Sequence, residues 1–158
     1  MSILIAYKKD NTIFMGTDTR LIINERKTNK LCKCDYKIQK MDNEMLVGIA
    51  GDRIVRQTCF AFSEIFTLDK NNNLTRKHIF TQIIPKLIEL LTEHELLSSK
   101  NNQPPKINAE ILLAYKSELF EICSNFTICK YEDYQAVGNI SNYVQFILAN
   151  TNFIFKYR

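Results

Sequence analysis

Apolar and polar positions along the 158-residue chain change period several times, and each change marks an element. Residues 2–7 and 12–19 are two apolar, β-rich runs separated by Lys8-Lys9-Asp10-Asn11, which predicts a hairpin. The more polar stretch "RLIINERKTNKLCKCD" predicts two short strands and a loop. "YKIQKM" and "EMLVGIAG" then form a second strand pair across Asp42-Asn43. Met45–Ala50 is almost uninterruptedly apolar, so that strand is expected to be covered on both faces. Beyond Gly51 the period becomes helical: Ile54, Val55, Cys59, Phe62, Ile65 and Phe66 recur after Asp52, a cap residue.

Thr75 is the expected cap of a second helix. Its stripe of Ile79, Phe80, Ile83, Ile84, Leu87, Ile88 and Leu91 runs to about Leu97, with Pro85 placed to kink or split it. "SSKNNQPPK" reads as a polar connector. Strands are predicted at "AEILLAYK", "LFEICS" and "FTICKY", a last helix at "SNYVQFILAN", and a short strand or tail at "NFIFKYR". Helices gathered between two groups of strands predict an α+β fold: two stacked sheets flanked by helices, a four-layer αββα sandwich.

Composition narrows the class. Apolar residues at 46% and charged residues at 24% describe an ordinary globular chain, and the length suits one domain over residues 1–158. The net charge of +4 is weak and no dense basic block appears, so no nucleic-acid partner is expected; Lys and Arg between Arg20 and Lys40 read as a solvated face. No apolar run reaches the ~20 residues of a membrane span. No leader pattern is seen at the start, and five cysteines suit reduced thiols, so a cytoplasmic location is expected. Cys32-Lys33-Cys34 has no second matching pair, so no metal and no cofactor is expected. Cys59, Cys123 and Cys129 read as packed thiols, and His78 and His94 as packing or surface residues.

The candidate chemistry lies in the first hairpin. A Ser hydroxyl needs a nearby base at pH 7. If Met1 is removed, Ser2 carries its own, an α-amine with a pKa of ~8. In a hairpin turning at Lys8–Asn11, positions summing to about 20 face each other, which brings Asp18 to Ser2. Lys37 opens the next strand and supplies a cation beside Asp18. Gly51 ends a strand where a helix starts, so its bare N–H suits an oxyanion.

"MGTDTR", "YKIQKMDNEMLVGIAGD" and "AVGNIS" together resemble the proteasome β-subunit family of N-terminal-nucleophile hydrolases, which includes the bacterial ATP-dependent protease ring. The resemblance runs from residue 2 to about 150. It implies that Ser2 stands for the family's N-terminal Thr, Asp18 for its acid, Lys37 for its active-site lysine and Gly51 for its oxyanion glycine. The family's Gly-Ser-Gly becomes Gly138-Asn139-Ile140, so Asn139 replaces a serine that helps bind the terminal amine, with Ser141 to supplement it. Relative to the family the chain is C-terminally short. A peptidase is implied, acting on peptides or unfolded protein, in a homo-oligomeric ring and with an ATPase unfoldase as partner. The alternatives are a catalytically silent subunit that keeps the sandwich for assembly, and a small-molecule amidase on the same fold. Part of the Ile79–Leu91 stripe would then serve as a subunit interface.

Overall fold

A computed structural model describes residues 3–18, 21–23, 26–28, 36–98, 104–138, 141–142 and 145. The chain opens with β1 (Ile3–Lys9) and β2 (Thr12–Thr17). Asp10 and Asn11 between them both take positive φ (50° and 62°), as a tight two-residue hairpin turn demands and as short polar residues tolerate. The short strands β3 (Leu21–Ile23) and β4 (Arg26–Thr28) pair with each other, as the polar stretch predicts. Strands β5 (Ile38–Lys40) and β6 (Leu46–Gly51) form the second pair. Helix α1 (Arg53–Ala61) and a 3-10 turn (Ser63–Ile65) follow.

The second helical region is continuous but not uniform: α2 (Arg76–His78), a π-helical stretch (Ile79–Ile83) and α3 (Ile84–Glu93). Thr75 caps it as expected, its Oγ1 accepting from the N–H of His78. Pro85 stands in the first turn of α3, where its missing N–H costs least. It thus falls at the junction with the π stretch rather than breaking the region in two. Phe80 and Ile54, both expected on buried stripes, are 66% and 51% exposed. Asp52 holds the N-cap position of α1 with extended backbone but makes no side-chain cap bond.

Strands β7 (Leu97–Ser98) and β8 (Lys106–Ile107) form a small pair inside the region read as helix end and connector. Then come β9 (Ala109–Tyr115), β10 (Glu118–Ile122) and β11 (Ile128–Tyr131), at the predicted places, and β12 (Tyr134–Gly138), which no sequence signal marked as a strand. Residues 141, 142 and 145 are helical, in keeping with a last helix; the rest of that stretch and the predicted strand at 152–158 lie outside the described residues.

Two sheets result, ordered β12-β1-β2 and β11-β10-β9-β6-β5. They pack face to face on Leu4, Ala6, Ile13 and Val137 from the first and Ala50, Leu112, Ala114 and Leu119 from the second. A Cβ on Gly48 would come within 2.5 Å of Leu4 Cδ2, so glycine there lets the sheets approach. The other face of the five-stranded sheet presents Val47, Ile49, Ile111, Leu113, Phe120 and Ile122 to Val55, Cys59, Ile79, Ile83, Leu87 and Leu91 of the helices. This explains why β6 and β9 are apolar on both sides. The described residues therefore form three layers, sheet, sheet and helix. The second helical layer of the expected sandwich falls on residues 139–158, of which only 141, 142 and 145 are described.

Candidate functional site

Register fixes the first part of the site. Leu4 faces Thr17 and Ile5 faces Gly16, so facing positions sum to 21, and Asp18 lies opposite Ile3 rather than Ser2. Asp18 Oδ1 accepts the N–H of Ile3 at 2.8 Å, while Ile3 C=O accepts from the Asp18 N–H (3.4 Å) and from Thr17 Oγ1 (2.7 Å). The carboxylate thus holds the backbone one residue from Ser2. Ser2 itself lies outside the described residues.

Lys37 stands just before β5, and its C=O accepts the N–H of Ile49 in β6. Its side chain is 1% exposed and ends on Asp18, with Nζ 2.8 Å from Oδ1 and 3.1 Å from the Asp18 C=O. Asp18 is 27% exposed. A buried ammonium needs a partner to offset its lost hydration, and Asp18 supplies both charge and hydrogen-bond acceptors. Sequence spacing brought these residues to one end of the sandwich; the structure joins them in an ion pair.

Gly51 ends β6 opposite Ala109, with φ +138°. A Cβ there would lie 2.4 Å from Asn108 O and 2.5 Å from Ala109 Cα, and the next N–H, of Asp52, is bonded to the same Asn108 O. Glycine is thus required sterically at the point where β6 gives way to α1. Gly138 ends β12 opposite Ile3. Its N–H donates at 2.9 Å to Glu110 Oε2, a carboxylate that reaches across from the other sheet and that no motif marked. Ser141, half-buried, begins the helical turn that follows, and Asn139 lies outside the described residues.

A cavity of about 340 Å³ lies close by, lined by Tyr36, Gln39, Gln57, Phe60 and Ala61 between β5 and α1. Farther along the space between the sheets sits a polar cluster that sequence reading missed, its members spread over three strands and a helix. Glu121 Oε2 accepts from Tyr131 Oη (2.8 Å) and from Gln135 Nε2, and Gln145 Nε2 donates to Gln135 Oε1 (3.0 Å) and to Ala136 C=O (2.9 Å). Burial, then the Glu121 charge, pushes the Cys123 thiol up to about 12, and burial, then the hydrogen bond to Glu121, raises the Tyr131 hydroxyl. Burial pushes Cys59 up to about 12. Cys59 is thus a buried thiol and Cys123 a half-buried one. Cys32 and Cys34 lie outside the described residues.

His78 bonds Thr67, and the His94 ring packs 5.5 Å from that of Phe62, so both serve packing as expected. Among the described residues no group of three His, Cys, Asp or Glu is arranged to hold a metal ion, and no helix is long and apolar enough to cross a membrane.

No family model and no curated protein matches the chain. Solved structures do. BPH of Thiobacillus denitrificans is similar over 89% of this chain and 74% of its own, with 18% identity and a TM-score of 0.69; it has also been solved in complex with epoxomicin. The eukaryotic HslV of Trypanosoma brucei matches over 90% of this chain and 75% of its own, at 16% identity and TM-score 0.55. Anbu, an ancestral β-subunit from Yersinia bercovieri, matches over 87% and 61%, at 13% identity and TM-score 0.57. With little shared sequence, these likenesses show that the chain has a proteasome-subunit-like fold.

Proposed function

We propose that the chain is an N-terminal-nucleophile hydrolase that cleaves peptide bonds through Ser2 once Met1 is removed. The observation that carries this reading is the buried Lys37–Asp18 ion pair set against the backbone of Ile3, the residue after the nucleophile. The pair fixes the backbone one residue from Ser2 beside a buried positive charge, and a nucleophile at a chain end needs such an anchor.

In this mechanism the Ser2 amine takes the hydroxyl proton, directly or through one water, and the oxygen attacks the peptide carbonyl. The tetrahedral oxyanion is stabilised by the Gly51 N–H, with the N-terminal end of α1 adding positive potential. The amine then returns the proton to the leaving nitrogen, and water releases the acyl group by the reverse sequence. Lys37 and Asp18 orient the terminus, and Asn139 and Ser141 bind the amine. The likeness to HslV and Anbu supports a homo-oligomeric ring; a cytoplasmic location, an unfolded-protein substrate and an ATPase partner are part of the same proposal.

The test is covalent labelling with epoxomicin, the compound bound in the BPH complex, followed by intact-protein mass. The expected result is a chain lacking Met1, one adduct on wild type and none on Ser2→Ala. Full retention of Met1 in the native host, or equal labelling of the two proteins, refutes the nucleophile role. Turnover of small amides with none of unfolded peptides would move the reading to an amidase.

A further inference from the structure

We infer that Glu110 is a positioning residue of the same site, an inference that rests on the nucleophile reading above. Glu110 belongs to β9, and its facing residue on β6 is Ala50, one step from Gly51. Ala50 and Leu112 pack between the sheets, and Glu110, two residues before Leu112, shares that face. From there its Oε2 crosses to the other sheet and accepts the Gly138 N–H at 2.9 Å. Gly138 faces Ile3, whose own N–H is held by Asp18 at 2.8 Å. The strand that carries Ser2 is therefore flanked at Ile3 by two backbone segments, each fixed by a carboxylate: residues 17–18 on one side and Gly138 on the other. The Glu110 carboxylate differs in origin, because it is anchored on the strand beside Gly51.

That origin gives it a job. Ile3, next to the nucleophile, and Gly138, just before the amine-binding residues, belong to one sheet, and Gly51 to the other. Leu4, Val137, Ala50 and Leu112 hold the two sheets together by apolar contact, which has no preferred direction and tolerates small displacements. The bond from Glu110 to Gly138 is charge-assisted and directional. It sets the distance between the Gly51 N–H and the terminal residue at the end of the sandwich where the reaction takes place. Glu110 touches no reacting atom in this scheme; it acts through Gly138.

Two variants separate reach from charge. Glu110→Gln keeps an acceptor oxygen at the same length and loses the charge; Glu110→Asp keeps the charge and is one methylene too short. The readout is the saturating rate of epoxomicin labelling at Ser2, measured beside its apparent affinity and the thermal midpoint. Thr75→Ala, which removes a helix cap remote from the site, reports what destabilisation alone does. The expected result is that Glu110→Asp labels about 10- to 100-fold more slowly with affinity little changed, while Glu110→Gln keeps most of the wild-type rate and Thr75→Ala all of it. A slow Gln variant beside a fast Asp variant overturns the inference in favour of an electrostatic role. Wild-type rates in both overturn it outright, and so does a Thr75→Ala rate that falls in step with Glu110→Asp. If wild type itself shows no Ser2-dependent adduct, the nucleophile reading fails and this inference with it, an outcome told apart by the wild-type control.

Discussion

Removing Asp18 and removing Lys37 break the same ion pair at different cost, because the two side chains are buried to different depths. In Asp18→Ala a lysine that is 1% exposed loses its carboxylate, and the Ile3 N–H loses its acceptor. Breaking a buried pair by deleting one partner costs about 3–5 kcal/mol, and Asp18→Ala is expected at that level. In Lys37→Met the remaining carboxylate is 27% exposed and still accepts from Ile3, while the Met side chain fills the volume of the lysine stem. That change is expected to cost about 1–2 kcal/mol, near one charged hydrogen bond. The double variant Asp18→Ala/Lys37→Met removes both charges and is expected to be more stable than Asp18→Ala alone, a reversal of additivity. The chain has no Trp, so urea unfolding is followed by far-UV circular dichroism, with the slope m held equal among variants. Lys37→Met as costly as Asp18→Ala, or a double variant no more stable than Asp18→Ala, would show that the charge buried at Lys37 does not govern the pair. Both single variants are expected to abolish epoxomicin labelling.

Gly51→Ala forces a Cβ to within 2.4 Å of Asn108 O at a φ of +138°, so a loss of about 2–3 kcal/mol by urea unfolding is expected, and a loss below 0.5 kcal/mol would mean the β6–α1 junction gives way easily. Thiols held at about 12 carry on the order of one thiolate in ten thousand at pH 8, so Cys59 and Cys123 are expected to resist iodoacetamide in the native chain and react in urea, as read by peptide mass; fast native alkylation of Cys59 would contradict its burial. The linkage has one sign for both: from an unfolded value near 9.0 to a folded value of about 12, they contribute stability that is complete below pH 9 and is lost as pH rises from 9 to 12.

Much of the fold was legible because local signals and tertiary structure agree. Asp10-Asn11 between two apolar runs fixed the first hairpin, and the unbroken apolar run of β6 fixed a strand covered on both faces. Failures trace to interactions the local sequence does not encode. "YQAVG" is short and half polar, and it becomes a strand by docking on β1 some 130 positions earlier, a pairing set by the whole sandwich. The strands β7 and β8 are two residues each, below any period. Phe80 was placed on a buried stripe by counting 3.6 residues per turn, but a π-helical stretch bonds i to i+5 and advances at a different rate, leaving Phe80 exposed.

Of the candidate residues, the juxtaposition of Asp18 and Lys37 was legible from motif and hairpin geometry. A turn signal alone leaves the count uncertain by one, which is why the facing residue is Ile3 rather than Ser2. Glu110 and Glu121 were invisible, since each is an isolated acid in a largely apolar strand whose partners come from β11 and β12.

Those two carboxylates also decide how the molecule responds to shear. Both reach from the five-stranded sheet to β12, Glu110 at Gly138 and Glu121 at Gln135, three residues apart. A slide of one sheet along the other by a single residue would break both bonds together and carry Leu4 off its seat on Gly48. The alignment is thus keyed by Leu4 on Gly48 and locked by two acids. A chain in which both acids became leucine would keep its layers and lose both directional bonds that tie β12 to the other sheet.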